Sequence, residues 1–191
     1  EILPAEKYVG MLSEACDEEF KKVHPNASVL NIGPAGEHLS LLAAIMNDKD
    51  RAAGRSGVGA VMGSKNLKAI TVTASKNAVE PYSADMLKEA MKTCLLKLKE
   101  NPVTHEGLPT YGTAVLVNIV NNIGTFPTNN WQSSYYDKAD DISGETLKEK
   151  YLVKNHYCHR CQIGCGRVVN IDGKIAGGPE YEPLWAYGGN C

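Results

Sequence analysis

Apolar residues at Tyr8, Leu12, Ala15, Cys16 and Val23, with Glu and Lys between them, recur at helical spacing and predict an amphipathic helix over residues 6–23. Pro25-Asn26 ends it, and the run Ala-Ser-Val-Leu-Asn-Ile at 27–32 predicts a short buried strand. Gly33-Pro34-Ala35-Gly36 reads as a tight turn. Leu39, Leu42, Ala43 and Met46 then predict a second helix. A glycine-rich loop is expected over 54–63 and a further strand over 67–73. Strand, glycine turn, helix, glycine loop and strand together predict a mixed α/β unit over residues 1–76.

Beyond it the pattern turns helical. Ser83 is placed to N-cap a helix reaching about Asn101, with Leu87, Met91, Cys94 and Leu98 as its buried stripe. Further helices are expected over 112–123 and 143–151, separated by a loop at 124–137 rich in Thr, Asn, Tyr and Trp. Residues 168–175 carry the Asp172-Gly173 signal of a tight hairpin. The fold class expected is α+β: the end of an α/β domain over 1–76, with a boundary near 76–82, and a mostly α-helical domain over 77–191 carrying a small β-hairpin.

Composition narrows the function. The chain has 191 residues, 43% of them hydrophobic and 22% charged, which excludes a disordered chain. A formal net charge of −2 argues against a nucleic-acid partner. The longest apolar run, at 41–46, is far short of the ~20 residues a membrane helix needs, and the first residues show no secretory leader. The chain starts on Glu1 and stops on Cys191 directly after Gly-Gly-Asn, so a piece of a longer protein is expected.

The chemistry concentrates in three places. Of six cysteines, Cys158, Cys161 and Cys165 form C-x2-C-x3-C. Three thiols so close suit a soft metal centre in a reducing, cytoplasmic setting better than a disulfide scaffold. A [4Fe–4S] cluster and a structural zinc both need four ligands. The fourth would come from Cys191, His156, His159 or a residue outside the chain. Cys16 and Cys94 fall on apolar helix faces and are expected in the core, while His24, His38 and His105 show no partner pattern. Residues 51–65 combine Arg51, Arg55 and Lys65 with Gly54, Gly57, Gly59 and Gly63, a composition suited to a phosphate or pyrophosphate, or else to a surface turn. The P-loop spacing is absent. Glu180 and Glu182 offer a general acid/base pair, with a solvated pair as the plain alternative. The loops at 111–114 and 124–131 suit a small-molecule pocket, although Trp131 serves equally as a core plug.

Six segments, in order, carry a resemblance: IGPAGEHLSLLAAI (32–45), RAAGRSGVGAVMGSKNLKAI (51–70), YGTA (111–114), GTFPTNNW (124–131), CHRCQIGCGR (158–167) and GPEYEPLWAYGGNC (178–191). Together they resemble the tungsten-containing aldehyde:ferredoxin oxidoreductase family. The resemblance implies a tungsten (or molybdenum) ion held by two pyranopterins beside a [4Fe–4S] cluster, a small aldehyde substrate, and ferredoxin or a similar electron carrier as partner. It assigns Cys158, Cys161 and Cys165 to the cluster, and Arg51, Arg55, Gly57 and Gly59 to the pterin phosphates. Glu180 and Glu182 fall in the family's catalytic glutamate region, and the fourth cluster cysteine is expected from a later segment. His38, Ser56 and Pro183 depart from the family pattern, where Asn, Gly and Thr are expected. The start of the pterin domain and a whole third domain are expected outside these residues. The whole protein is expected to be a homo-oligomeric enzyme, and the 191 residues alone inactive. An aromatic acyl-CoA reductase of the same family and a non-enzymatic structural zinc module are the alternatives.

Overall fold

Gly10, with φ +79°, interrupts the first predicted helix. A 3-10 turn, Glu6–Tyr8, precedes it, and α1 runs only over Ser13–Val23 in the computed structural model, which describes residues 1–74 and 79–190. Cys16 is fully buried, as expected, and the rings of Tyr8 and Phe20 stack with their centroids 4.3 Å apart. Leu12 and Val23 instead face outward.

The chain divides into two units, Glu1–Glu80 and Pro81–Cys191. The expected boundary near 76–82 lies partly outside the described residues, as does Cys191. In the first unit, β1 (Ser28–Asn31) leads into a single helical turn, α2 (Pro34–Glu37), started by the fixed φ of Pro34. The helix expected through Leu39, Leu42, Ala43 and Met46 does not form. Leu39 adopts φ +59°, which stops it, and Leu41 and Leu42 are exposed. The chain instead makes a hairpin of β2 (Ile45–Asn47) and β3 (Arg51–Ala53), turned through Asp48 and Lys49, both at positive φ. Four apolar residues at helical spacing were a misleading signal, because Ile45 and Met46 are held by sheet pairing.

The predicted glycine loop contains a helix, α3 (Val58–Ser64), before β4 (Ala69–Val72). The sheet order is β3-β2-β1-β4 with every neighbouring pair antiparallel. Gly57, Gly59 and Gly63 are there for packing. A Cβ on Gly36 would stand 3.0 Å from the Gly59 carbonyl oxygen, and one on Gly63 would fall inside the Gly36 carbonyl, so α2 and α3 touch backbone to backbone.

In the second unit, Ser83 caps α4 (Ala84–Glu100) by accepting from the Met86 N–H. The buried stripe expected on α4 is not buried: Leu87 and Met91 are about half exposed, and Cys94, expected in the core, is exposed. In this unit nothing covers that face of the helix enough to bury it. A π-helical turn (Val103–Gly107) and α5 (Leu108–Tyr111) follow. The helix expected over 112–123 divides into a 3-10 turn, Gly112–Val115, and α6 (Leu116–Asn122). Ser143 caps α7 (Gly144–Lys150). The hairpin expected at 168–175 is β6 (Gly166–Ile171) and β7 (Lys174–Gly177), with Asp172 and Gly173 both at positive φ as a two-residue turn demands. It extends to a three-stranded antiparallel sheet by pairing with β5 (Leu152–His156), and α8 (Tyr181–Tyr187) closes the described chain with a 3-10 turn; neither β5 nor α8 was expected.

The core of this unit gathers Val117, Phe126 and Ala139, flanked by Tyr136, Tyr181, Leu184 and Trp185. Asn121 is buried against the 124–137 loop. Its amide donates to the Tyr136 carbonyl (2.9 Å) and accepts from the Tyr136 N–H (2.8 Å), so the loop is pinned by a side chain that mimics a strand partner. α4, α5, α6, α7 and α8 with their 3-10 turns and the β5-β6-β7 sheet make an α+β domain.

Candidate functional site

The cysteine turn connects β5 to β6. Cys158 is exposed, Cys161 and Cys165 are half-buried, and all three are free thiols. The Cys161 N–H donates to the Cys158 carbonyl at 3.0 Å, which curls the first half of the turn. Gly164 sits at φ +67°, and the Tyr157 ring lies so close across it that no Cβ would fit. His156 ends β5 and His159 lies in the turn. Among the described residues, no three His, Cys, Asp or Glu side chains are drawn together around one ion. A four-iron cluster meets each thiolate at a separate iron. Three free thiols on one turn fit three corners of such a cluster by donor chemistry.

The base of the turn is held by Arg167, which is 4% exposed on β6. Its Nη1 donates to the Pro109 carbonyl at 3.0 Å and to the Asn155 side-chain oxygen, and its Nη2 donates to the Leu108 carbonyl. Asn155 in turn donates to the Pro109 carbonyl at 2.9 Å. Burial lowers the Arg167 pKa, opposed by the charges of Cys165 and Tyr157. Sequence reasoning passed over Arg167; its place two residues after Cys165 in the Cys-Gly-Arg run was the available signal.

The YGTA segment has two positioning contacts. Gly112, at φ +67°, lies where a Cβ would stand 2.7 Å from Arg167 Nε and 2.8 Å from the Cys165 carbonyl oxygen. The Thr113 hydroxyl accepts from the Tyr181 N–H at 3.0 Å, fixing the first turn of α8 between the two candidate carboxylates. Glu180 is half-buried at the helix N-cap and Glu182 is exposed in the first turn. Burial pushes the Tyr181 phenol up, with the Glu182 charge adding to it. The structure thus places both carboxylates around one helix start, on different turns of exposure.

The 128–133 loop is unusual. Asn129, Asn130 and Trp131 take successive positive φ values of 50°, 54° and 66°. The conformation is held by Asn129 N–H donating to the Gly189 carbonyl (2.8 Å) and by Asn130 N–H donating to the Asn190 side chain. Trp131 is 68% exposed, with Trp185 6.5 Å away, so it is not a core plug; Phe126 fills that role.

In the first unit, Arg51 is half-buried on β3, paired in register with Asn47, and Arg55 is exposed in the connection to α3. Gly57 and Gly59 meet the 41–44 backbone: a Cβ on either would approach a carbonyl oxygen there to 2.7 Å. Their identity is set by this packing. A cleft of about 370 Å³ beside α2 carries the ion pair of buried Lys68 with half-buried Glu37, and His38.

Comparison with known proteins matches residues 1–74 to the aldehyde ferredoxin oxidoreductase N-terminal domain and 89–191 to domains 2 and 3 of the same proteins. The chain belongs to the aldehyde ferredoxin oxidoreductase family. It is 48% identical over 186 residues to the tungsten-containing aldehyde ferredoxin oxidoreductase of Pyrococcus abyssi, covering 96% of this chain and 30% of that protein. It is 51% identical over 164 residues to the enzyme of the same name from Thermococcus kodakarensis, covering 85% of this chain and 27% of that one. The chain therefore spans less than a third of these relatives. The BamBC active-site complex of benzoyl-coenzyme A reductase shares the fold, with a TM-score of 0.77 at 24% identity over all of this chain and 31% of its own. The aldehyde ferredoxin oxidoreductases are oxidoreductase enzymes, and no described helix of this member is long and apolar enough to cross a membrane.

Proposed function

We propose that the protein to which these residues belong oxidises aldehydes to carboxylic acids: aldehyde and water give acid, two protons and two electrons, passed singly to ferredoxin or a similar carrier in the cytoplasm. The observation that carries this reading is the C-x2-C-x3-C turn of Cys158, Cys161 and Cys165, in a chain about half identical to tungsten-containing aldehyde ferredoxin oxidoreductases. When bound, a tungsten bis-pterin supplies the two-electron oxidation and a [4Fe–4S] cluster divides it into single-electron steps. The three thiolates would hold three irons, with a fourth ligand from outside the turn. Arg51 and Arg55 would neutralise pterin phosphates with charge-assisted hydrogen bonds. The carboxylate of Glu180 or Glu182 would take a proton as water oxygen adds to the carbonyl carbon. Thr113, through the Tyr181 N–H, would keep that helix start in place.

The test is the whole protein purified without oxygen, assayed for tungsten, iron and pterin, and for viologen reduction by aldehydes and, separately, for benzoyl-CoA turnover. Aldehyde-dependent viologen reduction is expected. A tungsten- and iron-replete protein that ignores aldehydes and turns over benzoyl-CoA overturns the reading in favour of acyl-CoA reduction.

A further inference from the structure

Arg167 is a buried cation with no carboxylate. Among the described residues no ion pair includes it, and each acceptor it reaches — two carbonyls and the Asn155 amide — is neutral. Its Nε is buried with no hydrogen-bond partner. Leaving a guanidinium in this state is costly, because a buried charge needs a compensating one. On β6 it stands two residues after Cys165, at the foot of the cysteine turn. Gly112 marks how closely the backbone of the turn approaches it, since one absent Cβ would touch both Arg167 Nε and the Cys165 carbonyl oxygen.

We infer that Arg167 is the electrostatic positioning residue of the cysteine turn, a fixed positive charge that compensates a thiolate-ligated cluster and makes its reduction easier. The inference rests on the cluster reading given above. A thiolate-bound cluster is anionic, and accepting an electron adds one more negative charge. A cation fixed at the base of the turn, in a medium less polarisable than water, stabilises the reduced form more than the oxidised one. No redox change at Arg167 itself is involved. Its hydrogen bonds to Leu108, Pro109 and Asn155 hold the charge in place.

The alternative is that Arg167 only fastens β5 and β6 to the 108–111 segment. Two variants of the whole protein, purified anaerobically, separate charge from fastening. Asn155→Asp is isosteric and sets a carboxylate against Nη1, cancelling the charge while the guanidinium stays. Arg167→Lys keeps the charge and loses the fork. The readouts are iron content and the cluster midpoint potential, from a redox titration followed by electron paramagnetic resonance. Asn155→Asp is expected to disfavour reduction at least tenfold, a fall of about 59 mV for a one-electron couple, and Arg167→Lys by less. Loss of iron from Asn155→Asp alone also supports the inference. Unchanged potential in iron-replete Asn155→Asp overturns it, as does an equal fall, or equal loss of iron, in both variants. Wild-type protein without iron overturns the cluster reading together with the inference.

Discussion

Lys68 Nζ lies 2.6 Å from the Glu37 carboxylate, with the lysine side chain 4% exposed and the glutamate 16%. The ammonium also donates to the carbonyls of Ile32 (2.6 Å) and Met11 (3.0 Å), so one residue ties β1, α2 and the segment before α1 together. Glu37 also accepts from the Gly10 N–H at 2.9 Å, at the point where the first predicted helix is broken.

That pair sets an acid limit on the first unit. Burial works to raise the Glu37 pKa, but the hydrogen bonds from Lys68 and Gly10 and the Lys68 charge outweigh it, and the net shift is downward from 4.5. A carboxyl depressed in the folded state contributes stability that is full above its unfolded pKa and lost as pH falls through its folded one. Thermal unfolding of this unit is therefore expected to be insensitive to Glu37 near neutrality and to weaken below about pH 4.5. Lys68→Met, which leaves the half-buried carboxylate without its cation, is expected to cost about 1–3 kcal/mol and to remove the Glu37 contribution to the acid dependence. Unfolding at pH 7 indistinguishable from the parent would show the pair to be inconsequential.

Gly63→Ala tests the contact of α2 with α3. The new methyl group would enter the Gly36 carbonyl, which is backbone and has nowhere cheap to go. A loss of about 1–3 kcal/mol is expected. Gly54→Ala, with nothing within 4 Å, serves as the control and is expected to leave the melting temperature unchanged.

Arg55→Ala in the whole protein is expected to lower tungsten and pterin content while leaving iron nearly unchanged, and Arg51→Ala likewise. The two arginines belong to the first unit and the cysteines to the second, and neutralising a phosphate is a separate task from ligating iron. Parallel loss of tungsten and iron would mean general misfolding instead.

Glu180→Gln and Glu182→Gln separate the two carboxylates. Removal of a proton-transfer group lowers turnover by about 10²–10⁴-fold, and one of the two variants is expected to do so with metal content retained. The half-buried N-cap position of Glu180 makes it the more sensitive site. Turnover within tenfold of the parent in both variants would leave these residues as ordinary helix-start acids.

The sequence by itself determined what depends on neighbours along the chain. Ser83 and Ser143 cap the helices that follow them, and Asp172-Gly173 turns the β6–β7 hairpin, because each works through backbone groups two or three residues away. That the three cysteines share one turn was equally legible, since they are neighbours along the chain. Tertiary structure decided the rest. Leu39, Leu42, Ala43 and Met46 have helical spacing, yet the chain across them is held by β3 on one side and by Gly57 and Gly59 on the other. Cys16 and Cys94 look alike in sequence; the first is fully buried, and the second lies on a helix face that its own unit leaves open. Periodicity shows which face of a helix is apolar but not what covers it, because burial belongs to the partner surface. Arg167 is the sharpest case: in the sequence it is one more basic residue after a cysteine, and only the meeting of β6 with Leu108, Pro109, Gly112 and Asn155 makes it a buried charge.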